Sequence, residues 1–197
     1  MTSPRIPIPE QPQFKAKSFM LRPIEVSDAE RDYEAVIQSR QFLRSWEQSG
    51  WPEDDFSLAD NTDDVRRLVE RHQSSESYTY TVSDPEDEQC LGCVYLFPGN
   101  ASIFERSTII PKREIAWSDV SIATYFWVRE THQEQGLDVE VLKALLEWLQ
   151  SEWRATVTTF VTNLGCTQQV ALFKDNGLEL QFLINDPKTP VEFGAFA

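Results

Sequence analysis

No stretch of this chain approaches the ~18–20 consecutive apolar residues that span a membrane, which excludes a transmembrane helix. The N-terminus carries Pro4, Pro7, Pro9 and Pro12 but no apolar secretory core. Residues 1–17 are therefore expected as an extended arm, not a signal peptide, and the location as cytoplasmic. Positive charge is scarce: 18 Lys and Arg stand against 32 Asp and Glu, a net charge of −14. That excludes a phosphate-neutralising nucleic-acid surface. An acidic surface either suits a cationic substrate such as an amine or keeps the protein soluble.

Cysteine and histidine are few. Cys90-Leu91-Gly92-Cys93 has the spacing of half a zinc site, but Cys166, His72 and His132 stand alone, so no second pair completes it. The pair lies in a strand-like run, where residues three apart point to opposite faces. It is expected as buried strand thiols, with no metal.

The 197 residues are 41% hydrophobic and 25% charged, enough to bury the core of a single globular domain. A first strand is expected at 19–24, then a capping box at Ser27-Asp28-Ala29-Glu30 and a helix carrying Tyr33, Val36 and Ile37. After a bend come Phe42, Leu43 and Trp46. A second helix follows over 60–72, with acidic residues first and Arg66, Arg67 and Arg71 later, as the helix dipole favours. Strands at 78–82 and 90–97 form a hairpin, and 98–118 is expected to be irregular.

The strongest strand signal is 120–128. Val120, Ile122, Thr124, Phe126 and Val128 share one face; Ala123, Tyr125 and Trp127 share the other. Both faces are apolar, which places it centrally in a covered sheet. Leu142, Leu145, Leu146, Leu149 and Trp153 then form a helical stripe. A β-branched strand at 156–162, a short helix at 168–176 closed by Gly177, and strands at 178–184 and 191–196 complete an α/β domain. Its mixed central sheet is expected to have about six or seven strands flanked by helices. The segment 191–196 is open to pairing within the chain or with a second copy, so a homodimer is one of two outcomes.

Between the central strand and the long helix runs Val128-Arg129-Glu130-Thr131-His132-Gln133-Glu134-Gln135-Gly136-Leu137-Asp138. A helix start after a glycine turn presents unpaired N–H groups suited to phosphates. Here the chain resembles the GNAT superfamily of acyl-CoA-dependent N-acyltransferases, over residues 19–184 in element order and in two motifs. Gln133-Glu134-Gln135-Gly136-Leu137-Asp138 is similar to the family's Q/R-x-x-G-x-G/A at Gln133 and Gly136. Leu172-Phe173-Lys174-Asp175-Asn176-Gly177-Leu178 is similar to its late helix, and Asn163 to the Asn that often follows the preceding strand. Smaller echoes are Leu21-Arg22-Pro23 and Leu91-Gly92-Cys93-Val94.

The resemblance implies a GNAT-like domain over 18–197, with acetyl-CoA as co-substrate and a small-molecule or peptide amine as acceptor. It implies that the cofactor lies against Trp127, Val128, Gln133, Glu134, Gln135, Gly136, Leu137, Asp138, Asn163 and Phe173. It also implies that the strands ending at Val128 and at 157–161 separate, leaving a pantetheine slot. Trp46 and Trp51 sit where family members form an acceptor wall.

Three positions depart from the pattern. Asp138 stands where the family has Gly or Ala, and its carboxylate opposes a pyrophosphate. Phe173 replaces a Tyr proposed to protonate the leaving thiolate, and Ile122 stands where some members carry a Glu base. Asp119, Glu130 and Tyr125 are the candidates left for acid–base chemistry. His132 is either a phosphate contact or base, or an exposed turn residue. The departures leave a second outcome open: a GNAT-like module without catalysis that binds another ligand or a protein partner.

Overall fold

The computed structural model describes residues 12–187, 189 and 191–197; most of the expected N-terminal arm, 1–11, lies outside them. Among the described residues a nine-stranded mixed sheet runs through the molecule. Its strands are β1 (Phe14–Lys15), β2 (Met20–Pro23), β3 (Tyr78–Ser83), β4 (Cys90–Pro98), β5 (Thr108–Pro111), β6 (Ile122–Val128), β7 (Thr158–Asn163), β8 (Leu180–Asn185) and β9 (Glu192–Phe196), in the spatial order β1-β2-β3-β4-β6-β7-β9-β8-β5. The helices are α1 (Ala29–Gln38), α2 (Arg40–Glu47), α3 (Leu58–Ser74), α4 (Glu130–Gln133), α5 (Leu137–Ser151) and α6 (Thr167–Asp175).

The sheet is wider than six or seven strands for two reasons. Phe14–Lys15, in the segment expected as an arm, pairs with β2. Thr108–Pro111, in the stretch expected to be irregular, pairs with β8. Both are short edge strands whose patterns are too brief to read before their partners are known. The C-terminal strand β9 inserts between β7 and β8 of its own chain, antiparallel to both.

Period-two alternation divides the core. Tyr78, Tyr80, Val82, Ile122, Phe126 and Val128 pack with α5 residues Val141, Leu142, Leu145, Trp148 and Leu149. Leu146, expected on that stripe, is 38% exposed; Val141 and Trp148 are the inward residues instead. The other side of β6 is covered by α1 and α2, where Ala35, Val36, Leu43 and Trp46 meet Trp127. Ser57 caps α3 reciprocally with Asp60, which lengthens that helix beyond the expected start.

At α1 the expected Ser27/Glu30 box is replaced. Asp28 is the N-cap, and its carboxylate accepts from the Glu25 N–H at 2.8 Å across a 3-10 turn. Asp28 takes that place because buried Arg22 grips it with two 2.7 Å hydrogen bonds. Burial alone pushes the Asp28 carboxyl up, but Arg22, the Glu25 N–H and Arg31 together hold it below its ordinary value.

The Cys90/Cys93 pair corrects the strand parity. The β3–β4 register passes from Val82–Gly92 directly to Ser83–Cys90, so Leu91 is an extra residue in a bulge. The bulge turns Cys90 onto the face of Cys93, and both free thiols are buried. Gly92 lies where β4 approaches β6, and a Cβ there would run into the Trp127 carbonyl oxygen. Gly92→Ala is expected to cost about 3 kcal/mol or more of unfolding free energy, read by urea denaturation; a loss near zero would show that the strands part freely.

Candidate active site

β6 and β7 pair in parallel at Ile122–Thr158, Ala123–Thr159 and Thr124–Phe160, and no further. Beyond Thr124, β6 stays paired to β4 while β7 turns to β9. The gap leaves alternate β6 backbone groups without a strand partner, and side-chain amides meet them. The Phe126 carbonyl accepts from Gln169 Nε2 at 2.8 Å, and the Val128 carbonyl from Gln133 Nε2 at 2.6 Å. Gln168 Nε2 donates to Gln133 Oε1 at 2.9 Å, and Trp46 Nε1 to Gln169 Oε1 at 2.7 Å. Only about 10 Å³ stays free beneath these amides.

The β6 exit runs through α4 into a left-handed Gly136 (φ 83°), which caps α5 and has open space where a side chain would stand. Asp138 lies in the first turn of α5, and its carboxylate accepts from the Val139 N–H at 2.9 Å. Desolvation raises its pKa, with the helix-start N–H groups acting in the opposite direction. Glu134 and Gln135 are exposed on the turn, whereas Leu137, Val128 and Trp127 are buried. His132 contacts Thr131; burial and then Arg129 lower its pKa.

On the opposite face of the sheet a cavity of about 650 Å³ opens, walled by Trp46, Trp51, Tyr95, Phe97, Phe104 and Tyr125. Tyr95 and Tyr125 are cross-strand partners, and Trp46 stacks on Tyr95 at 6.5 Å. Glu47, Asp64 and Asp186 bring carboxylates to the same wall. Glu47 is solvent-exposed at the rim of this concavity, and partial desolvation by its wall pushes the carboxyl up from its ordinary value, against the hydrogen bond from Ser49 Oγ at 3.0 Å. Burial, and then Asp186, hold the Tyr125 hydroxyl well above its ordinary range, so it keeps its proton at neutral pH. A carboxylate of raised pKa, a protonated phenol and a gapped strand edge together can take a proton, give one, and present backbone donors.

The sequence-derived candidates divide. Tyr125, Trp46 and Trp51 meet in the cavity. Trp127, Val128, Gln133 and Asp138 meet at the gap. Asn163 borders the cavity, but its amide clamps α2 onto β7: Nδ2 donates to the Ser45 and Trp46 carbonyls at 2.8 and 2.7 Å, and Oδ1 accepts from the Gly165 and Cys166 N–H groups. Phe173 is fully buried among Phe126, Phe160 and Phe196, with ring centroids 6.1, 5.9 and 5.4 Å away. Asp119 caps its own turn through the Ala116 N–H at 3.3 Å, at the start of β6, the end away from the gap. Glu130 is exposed at the start of α4, and neither residue lines the cavity or the gap. Glu47 and Gln169 were not visible as site residues in sequence; Glu47 follows Trp46 on a helix, and only the fold turns it to the cavity.

The model of the acetyltransferase (GNAT) domain family matches residues 18–179. The chain belongs to the GNAT acetyltransferase family. The gap between β6 and β7 and the glycine turn after it both lie within the matched residues. Among solved structures, a candidate ribosomal-protein-serine acetyltransferase from Vibrio cholerae is 17% identical, with TM-score 0.70, over 93% of this chain and 95% of that one. RimL, a ribosomal L7/L12 α-N-protein acetyltransferase in complex with coenzyme A, is 17% identical, with TM-score 0.63, over 96% of each chain. An acetyltransferase from Salmonella typhimurium that modifies the N-terminal serine of ribosomal protein L7/L12 is 15% identical, with TM-score 0.63, over 97% of this chain and 96% of that one. No curated protein matches the chain at a significant level.

Removing the clamp in Asn163→Ala leaves the Trp46 carbonyl and the Gly165 N–H unpaired, while the Ser45 carbonyl keeps Gln48 Nε2 and the Cys166 N–H keeps the backbone carbonyl of residue 163. The expected cost is about 2–4 kcal/mol in chemical denaturation. Asp119→Asn and Glu130→Gln are expected to stay within about 0.5 kcal/mol of wild type; equal losses in all three would refute the structural reading of Asn163.

Proposed function

We propose that this GNAT domain transfers an acetyl or other short acyl group from acyl-CoA to a primary amine held in the aromatic cavity. The observation that carries this reading is the parting of β6 from β7 beside that cavity. The gapped backbone suits the cofactor, because Gln169 and Gln133 meet it with side-chain amides, whose hydrogen bonds a pantetheine amide reproduces in kind. The Gly136 turn and the first N–H groups of α5 would receive the pyrophosphate. Bound there, acyl-CoA supplies an activated thioester carbonyl.

The residues of the chain do the rest. Glu47 takes the proton of the bound ammonium, directly or through water, freeing its lone pair to attack the carbonyl carbon. In a strand, one residue's N–H and C=O point to the same side, so the Phe126 N–H faces the gap with its carbonyl and serves as oxyanion donor. As the carbon–sulfur bond breaks, Tyr125 passes its proton to the thiolate and takes up the second proton of the acylated nitrogen, so the amide is neutral and the phenol is restored. The tryptophans and tyrosines hold the amine by cation–π contact, and the carboxylates on the wall favour a cation. The neighbours that act on ribosomal proteins support a peptide N-terminus as one acceptor class beside small amines.

One observation favours a binding module instead: the filled gap, with Asp138 on the N–H groups a pyrophosphate needs. Calorimetric titration with acetyl-CoA and free coenzyme A separates the two. Micromolar binding, lost in Gly136→Trp and tightened about fivefold in Asp138→Ala, is expected; that factor is the ~1 kcal/mol repulsion of a half-buried carboxylate. No heat at millimolar cofactor would overturn the transferase reading.

With an active amine in hand, Glu47→Gln is expected to lower kcat by roughly 10²–10⁴ with little change in KM. Glu47 must be ionised to act, so wild-type kcat/KM falls as pH drops through its raised pKa. In Glu47→Gln that acid limb should vanish; an unchanged limb would remove Glu47 from the base role.

A further inference from the structure

The bulge in β4 has a chemical product. Cys90 and Cys93 converge on one oxygen of Asp32, a buried residue of α1 that lies far from them in sequence. Cys93 Sγ lies 3.3 Å and Cys90 Sγ 3.9 Å from Asp32 Oδ1, and the three ligand atoms lie within 4.8 Å of one another. The other carboxylate oxygen is occupied, since Asn61 Nδ2 donates to Asp32 Oδ2 at 2.9 Å and to the Ala29 carbonyl at 3.0 Å. Asn61 thus orients the carboxylate so that Oδ1 is presented to the thiols.

We infer that Asp32, Cys90 and Cys93 form a binding site for a thiophilic divalent cation of the zinc class. Tetrahedral zinc with metal–sulfur distances of about 2.3 Å and metal–oxygen distances of about 2.0 Å requires ligand separations of about 3.5 Å between sulfur and oxygen. The two observed values, 3.3 and 3.9 Å, bracket that distance. In the metal-free protein the Cys93 thiol donates to Oδ1, while the Cys90 thiol lies between Oδ1 and the Gly92 carbonyl, 3.5 Å away; the cation replaces both thiol protons. Two thiolates, one carboxylate and a divalent cation leave one negative charge. Buried Arg129 stands against it, with Nε donating to the Cys90 carbonyl at 2.5 Å and a terminal guanidinium nitrogen to Gln38 Oε1 at 2.7 Å. Asn61 is the outer partner that holds a ligating carboxylate in place. Three protein ligands leave the fourth position to water, as in open zinc sites. The ion ties α1 to β4 behind Trp127 and Tyr95, which lie in the same packed cluster as both thiols. The site stands independently of the acyltransferase reading.

Tag-free, reduced protein is titrated with Cd²⁺ while the ultraviolet thiolate-to-cadmium absorption is followed. One equivalent per chain is expected, with the band lost in Cys90→Ser and Cys93→Ser and the affinity lowered at least tenfold in Asp32→Asn. Far-ultraviolet circular dichroism checks that the variants fold. In wild-type protein, one equivalent of Zn²⁺ is expected to raise Tm and to slow the reaction of two of the three buried cysteines with a thiol reagent in mild denaturant, where transient opening exposes them. That measurement decides the matter even where a variant misfolds. Absence of the band at one equivalent, a band that survives loss of both cysteines, or zinc that leaves thiol reactivity unchanged would overturn the site.

Discussion

A strand at the centre of a sheet must find a partner for every N–H and C=O it buries. Where β6 leaves β7 that demand goes unmet by the sheet, and much of the site follows from how it is met. Gln169, Gln133 and Gln168 lie on two different elements, yet all serve the exposed side of one strand. Trp46 is drawn into the same network through its indole N–H, which places α2 over the gap. Asn163 then fastens α2 from the β7 side by the carbonyls of Ser45 and Trp46. The aromatic cavity is bounded by the helix so held, and Glu47 belongs to its wall for the same reason.

Satisfaction by side chains differs from satisfaction by a strand in one respect. A strand partner is part of the fold, whereas an amide side chain can be exchanged for another amide at modest cost, because one hydrogen bond replaces another of equal kind. The gap is therefore satisfied without ligand, by partners that belong to side chains and not to the sheet. Asp138 acts similarly at the helix start, where its carboxylate supplies the acceptor that an anion would otherwise provide.

Parity carries a second lesson. A strand sends alternate residues to opposite faces, and a single extra residue reverses that assignment for everything beyond it. The bulge at Leu91 does this to Cys90, so two thiols that period-two counting separates stand together beside Asp32. The strands that counting handled well, β3 and β6, run without interruption through their central pairs.

What the chain determined by itself lay in local pattern: the two faces of 122–128, the long helix after Gly136, the hairpin of β3 and β4, the C′ glycine at Gly177, and the order of elements that resembles GNAT. Those signals are legible because periodicity and turn chemistry act between residues close in sequence. The tertiary structure alone decided the rest. It decided that β1 and β5 pair, that β9 inserts within its own chain, that Phe173 is core, and that Asn163 is a clamp. It also brought Glu47 to the cavity and Asp32 to the thiols. Most of these depend on a partner dozens of residues away, and a short polar or apolar segment carries no mark of which distant atoms will complete it; β1 pairs only five to seven residues on, but its two residues are too few to show a period.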